Sequence, residues 1–175
     1  TQLFAYEVPL FMAVLAPAIL ASSWSFSELI TFYRTHDWLW LVNILGFIVA
    51  MITLQGKLEK VPFDIPEAET EIVAGVFTEY TGPLYAYFRL AMNMQTIAGA
   101  SLVAAVFLPF GFGACLILNF VIYLLKIAFI LFLLALMRTL FARLRIDQML
   151  VFCWKYLAPI ALAQITLNII IKAWL

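Results

Sequence analysis

Asp64, Glu67, Glu69, Glu71 and Glu79 crowd into residues 62–82, and with Glu59 they make up six of the ten acidic residues in the chain. Carboxylates at this density can relay protons or attract cations, because like charges in one site raise each other's proton affinity. Glu67 and Glu71 are four apart, so on a helix they share a face and repel; Glu69 points elsewhere. Pro66 suits the first position of a short helix, the glutamates suit its positive end, and Gly75 is a natural stop. Ile65, Ile72, Val73, Val76, Phe77 and Tyr80 interleave with the acids. That pattern fits a long loop folded back on the protein with its carboxylates lining a cavity; the alternative is a solvated surface loop.

Lys126 is the second group with chemistry to offer. The five residues on each side of it are apolar apart from Tyr123. A charge at mid-bilayer costs at least about 2.5–3.5 kcal/mol on insertion scales, which makes it a functional candidate. Asn119 and Tyr123 fall on its helical face. Snorkelling is the competing explanation, but either end of the apolar run is ~16–20 Å away at 1.5 Å per residue. A carboxylate from another helix or subunit is the expected partner. Glu7, next to Pro9, is either an exposed chain-end residue or a member of a carboxylate series leading into the membrane. Arg143, Arg145 and Asp147 form a short charged cluster suited to holding a partner and shaping a cavity mouth.

These groups need elements to position them. Hydrophobic residues make up 66% of the 175 and charged residues 11%, against roughly half and a quarter in soluble domains; mean hydropathy is +1.07. A soluble enzyme, a nucleic-acid binder and a disordered chain are excluded. The continuous apolar runs, near 5–23, 38–55, 83–108, 113–137 and 148–174, predict an all-α polytopic membrane protein. It forms a single transmembrane domain of five helices with a long acidic loop at 56–82. Barrel strands would alternate instead. Lys57, Lys60, Arg89, Arg138, Arg143 and Arg145 gather on the side of loops 56–82 and 138–147, whereas Arg34 and Lys172 mark the other. By the positive-inside rule the acidic loop is cytoplasmic, in a cell membrane. The start at Thr1 reads as a fragment or a chain cut from a longer one.

Gly46 and Ala50 predict a packing face. Two polar stripes, Arg89–Asn93–Thr96 and Gln164–Asn168–Lys172, predict helix contacts. Pro159 predicts a bend in the last helix. Trp24, Trp38, Trp40 and Trp174 sit near span ends, as interfacial aromatics do. Cys115 and Cys153 are isolated, His36 is the single histidine, and there is no CxxC, P-loop, GxGxxG or HExxH. The chain therefore offers no metal site and cannot ligate an iron–sulfur cluster by itself.

Three motifs in order carry a family resemblance. Residues 62–82 resemble the signature loop of the complex I H-subunit family, which includes membrane subunits of energy-converting nickel–iron hydrogenases. Ala5-Tyr6-Glu7-Val8-Pro9 is similar to the start of one family helix. Arg143-Leu144-Arg145-Ile146-Asp147-Gln148 is similar to the loop before the last one. The resemblance covers essentially the whole chain and corresponds to the C-terminal portion of the family.

It implies a non-catalytic membrane subunit that docks a peripheral electron-transfer arm and couples it to H⁺ or Na⁺ movement through antiporter-like membrane subunits. Iron–sulfur clusters, and in the hydrogenase branch a nickel–iron centre, would lie in partner subunits. In Tyr85–Asn93, Met92 and Asn93 stand where quinone-reducing members usually carry an acid. The run is more similar to hydrogenase-type complexes, and that branch is the leading expectation; the H subunit of an NADH–quinone oxidoreductase, lining a quinone site, is the alternative. A passive membrane anchor would need neither Lys126 nor the acids, and an autonomous transporter would usually show an internal repeat, which is absent.

Overall fold

The computed structural model describes residues 2–36, 38–64, 79–111 and 116–174, and these are helical without a strand among them. In chain order the helices are α1 (Gln2–Ala21), α2 (Phe26–Thr35), α3 (Leu39–Val42), α4 (Ile44–Lys57), α5 (Pro83–Phe107) and α6 (Leu116–Leu140). Then come α7 (Ile146–Phe152), a π-helical turn (Cys153–Leu157) and α8 (Ala158–Trp174). Among the described residues, four stretches are long and apolar enough to cross a bilayer: Phe4–Ala21, Pro83–Phe107, Ile117–Leu140 and Ile146–Trp174. Cys115, Glu67, Glu69 and Glu71 lie outside the described residues.

α1 is the hub, packed mainly against α4 and α8. Small residues allow the close approach: Ala5, Ala13 and Ala16 of α1 are fully buried. A Cβ on Gly56 would come within 3.2 Å of Tyr6 Cβ, and one on Gly46 within 3.2 Å of the Phe107 ring. In lipid, where apolar surface gains nothing by leaving its surroundings, such backbone proximity supplies much of the helix association. Gly46 and Ala50 are thus a packing face, as their spacing predicts.

The apolar run at 38–55 is not one helix. It breaks at Asn43 (φ −88°, ψ 9°) into the four-residue α3 and the fourteen-residue α4. The reason is a buried polar knot. The Asn43 amide donates to Tyr33 Oη (2.5 Å), the Asn168 amide donates to Asn43 Oδ1 (2.8 Å), and Gln164 Nε2 lies 2.9 Å from Val42 O and 3.1 Å from Asn43 Oδ1. An unpaired amide here would be costly, so the bonds tie α2, the α3–α4 break and α8 together. Gln164→Leu should therefore destabilise the assembled protein by about 1–2 kcal/mol, read as a lowered unfolding temperature of the purified membrane protein; an unchanged temperature would show the knot to be dispensable.

Pro159 acts through the turn before it. A proline ring clashes with the carbonyl four residues back, here that of Lys155, and the π turn Cys153–Leu157 lies across that position. The α7–α8 rod thereby continues through the proline from Ile146 to Trp174.

Candidate coupling junction

The C-terminus of α4, the N-terminal part of α1 and the middle of α5 meet at one end of the bundle. α4 stops with paired terminal bonds: Lys60 N–H donates to Gln55 O (3.3 Å) and Glu59 N–H to Gly56 O (3.2 Å). This pattern places the residue after the C-cap in the left-handed region, a post usually held by glycine. Glu59 holds it instead, at φ 51°, a strained choice for a residue with a Cβ. Its return is position: Glu59 lines a cavity of about 210 Å³ with Tyr6, Glu7, Lys57, Leu58, Met92 and Gln95. Lys57 Nζ lies 3.4 Å from Glu7 Oε1 across it, in a half-exposed pair.

Beyond Glu59 the chain turns inward. Lys60 Nζ donates to Thr96 Oγ1 (3.0 Å), and that hydroxyl donates to Met92 O (2.9 Å). Burial, and then the charge of Arg138, hold the Lys60 ammonium below the usual lysine range. The Gln55 amide donates to Val61 O (2.6 Å). Gln55 Oε1 and Asp64 Oδ1 are buried with no hydrogen-bond partner among the described residues. Buried oxygens of this kind call for water or another donor.

Leu144 N–H donates to Pro62 O (3.0 Å), which stitches the 138–147 connection to the start of the acidic loop. Arg143, Arg145 and Asp147 are exposed there. The Gln148 side chain accepts from the Arg145 backbone N–H (3.3 Å), and Asp147 sits in the first turn of α7, where the helix dipole favours a negative charge. Glu79 is exposed ahead of α5. Of the sequence-predicted residues, Glu7 is at the cavity, Asp64 is outside its lining with one buried carboxylate oxygen, and Arg143 and Arg145 flank the Leu144 that joins the two loops.

Lys57, Glu59, Lys60 and Thr96 were not among the residues singled out for chemistry. A glutamate rather than a glycine just past a helix end was the available signal for Glu59. The Arg89–Asn93–Thr96 stripe divides: Thr96 is buried on Lys60, Asn93 is exposed, and Arg89 Nε donates to Tyr85 Oη (2.7 Å).

Lys126 is elsewhere. Its ammonium donates to Leu108 O (2.6 Å) and to Phe110 O, and lies 4.9 Å from the Phe110 ring centre. Leu108 is the C-cap of α5, so a cation meets the negative end of that helix. These described partners are backbone carbonyls, where the sequence led us to expect a carboxylate. Thr96 and Leu108 are twelve residues apart on α5, ~18 Å at about 1.5 Å per residue. The junction and the lysine thus occupy the two ends of one half of α5.

A helical, polytopic membrane protein with a polar junction at one end is the class these observations define. The NADH dehydrogenase family profile matches residues 1–169, and the chain belongs to that family. It is 39% identical, over 98% of its length, to the H subunits of the NADH-quinone oxidoreductases of Bacillus thuringiensis (strain Al Hakam), Bacillus cereus (strain AH187) and Bacillus anthracis (strain CDC 684 / NRRL 3495). The chain spans about half (52%) of the length of these curated relatives.

Proposed function

We propose that the chain is the C-terminal portion of an H-type membrane subunit in a complex I-like NADH–quinone oxidoreductase. In this role it docks the peripheral redox arm and transmits its reaction to H⁺ or Na⁺ translocation. The observation that carries this reading is the 39% identity to H subunits over nearly the whole chain. It reverses the order of the two branches: Met92 and Asn93 favoured a hydrogenase-type complex, whereas these relatives are subunits of NADH–quinone oxidoreductases. The departure at Met92 and Asn93 then concerns how a quinone site is lined, with Met92 in the wall of the junction cavity.

In this reading α3 and α4 together make a fifth crossing, and the loop 56–82 faces the cytoplasm. Asp64, Glu67, Glu69, Glu71 and Glu79 line a polar cavity beneath the arm. Glu7, Lys57 and Glu59 continue it into the membrane. The redox centres, iron–sulfur clusters among them, belong to peripheral partners, and antiporter-like membrane subunits carry the ions. Purifying the intact complex through a tag on this chain tests the branch. Co-purifying flavin–NADH subunits are expected; a nickel–iron hydrogenase large subunit would overturn the choice.

Arg143 and Arg145 hold the arm in this account. The double substitution by Ala should release peripheral subunits during purification and reduce NADH-driven turnover. A fully assembled, fully active variant would leave the two arginines a topology-setting role alone.

A further inference from the structure

We propose that the break between α3 and α4 is a binding site for an alkali-metal cation, held by oxygens of Val42, Asn43, Gln164 and Asn168. Three acceptors converge on one point there. The Gln164 amide nitrogen lies 2.9 Å from Val42 O, 3.1 Å from Asn43 Oδ1 and 3.1 Å from Asn168 Oδ1. A side-chain amide has only two N–H hydrogens to give. Gln164 Oε1 is buried beside them with no hydrogen-bond partner among the described residues. The amide nitrogen thus has more acceptors than it can serve, while the amide oxygen has no donor. A further carbonyl faces the same place from α1. Pro17 has no N–H to give to Ala13 O, one turn back. That oxygen lies 3.6 Å from where a Cβ of Gly46 would stand, and the same point is 3.5 Å from Gln164 Cγ.

The depth is that of an ion site in a membrane protein. Gln164 precedes the exposed Trp174 by ten residues of α8, ~15 Å at about 1.5 Å per residue, half of the ~30 Å hydrocarbon thickness. Interfacial aromatics mark such span ends. A helix broken near mid-membrane offers an ion the carbonyl oxygens that replace its water. Chemistry narrows the occupant. The four oxygens are neutral amide oxygens without a carboxylate among them. Divalent cations draw on carboxylates, and carrying a proton takes a group that titrates near neutrality; a single fixed positive charge needs neither. Without the ion, the N–H end of Gln164 fills the centre. Turning that amide over exchanges two ends of nearly equal size and presents Oε1 as the fourth ligand. The inference deepens the ion-handling part of the proposed function, and its test measures binding apart from turnover, so that each fails separately.

The test uses the intact complex purified in choline chloride. Sodium chloride, and in a second arm potassium chloride, replaces choline at constant ionic strength. Bound metal per complex is read by elemental mass spectrometry after equilibrium dialysis, and the unfolding temperature is followed alongside. A saturable rise in both is expected in the parent with sodium, potassium or each of them, because a ligand of the folded state stabilises it. Gln164→Leu should remove that component. Asn168→Ala, a smaller change that leaves Gln164 in place, should raise the half-saturating concentration at least roughly tenfold, the worth of one bond to a charged group. Thr166→Val, on the exposed side of the same helix, should behave as the parent. Parental ion binding in both Gln164→Leu and Asn168→Ala would overturn the proposal, as would a parent that responds to neither metal.

Discussion

Lys126→Met should assemble, pass electrons, and translocate fewer ions per electron. The substitution keeps the length of the side chain and removes a charge that is 7% exposed within an apolar span. The same ammonium caps α5 through Leu108 O and Phe110 O, so its loss also leaves carbonyls short of a donor, at about 1–3 kcal/mol. The two roles separate in the measurement. A purely capping lysine predicts lower thermal stability with an unchanged ion-to-electron ratio. A coupling lysine predicts a reduced ratio, and only partial rescue by Lys126→Arg, because arginine restores the cap and the charge but does not readily release a proton. The rod between the lysine and the junction is α5, so a change at one end has a continuous helix through which to act.

Glu67→Gln and Glu71→Gln carry the second large effect. Both residues lie in the acidic stretch, four apart; that spacing predicts a shared helical face, on which two carboxylates would hold one proton more tightly than either alone. Neutralising either would then remove the shared site. Each variant should assemble, because glutamine keeps the shape, and should lose ion translocation by at least roughly tenfold, within the range of a positioned proton-transfer group. Arm binding measured by co-purification separates this from a structural defect. Parental pumping in both variants would make the acids a solvated surface.

The sequence carried the class of this protein well, because runs of about twenty apolar residues have few alternatives in water or lipid. It carried α5, α6 and the last rod nearly to their ends. It missed the break at Asn43, since one asparagine in an apolar run looks like a tolerated polar residue. Its role depends on Tyr33, Gln164 and Asn168 arriving from distant positions. The π turn was hidden for a related reason: Pro159 announces a disturbance but not which backbone geometry absorbs it. At the junction, Glu7 stood out as an acid at the start of a span, whereas Lys57 and Lys60 read as topology markers. Their partners, Glu7 and Thr96, are 50 and 36 residues away in the chain, a separation that periodicity does not bridge. The two carbonyls that Lys126 meets at the end of α5 were not legible for a further reason, because backbone carbonyls have no sequence signature.

The most direct measurement is the ion-to-electron ratio of the purified complex in sealed vesicles, for the parental chain and for Lys126→Met and Glu67→Gln, at matched rates of NADH oxidation. Coupling through this chain predicts a proton or sodium gradient in the parent and a clearly lower ratio in both variants, with assembly intact. Parental ratios in both would contradict it, and would leave the chain as the membrane seat of the redox arm with no part in moving ions.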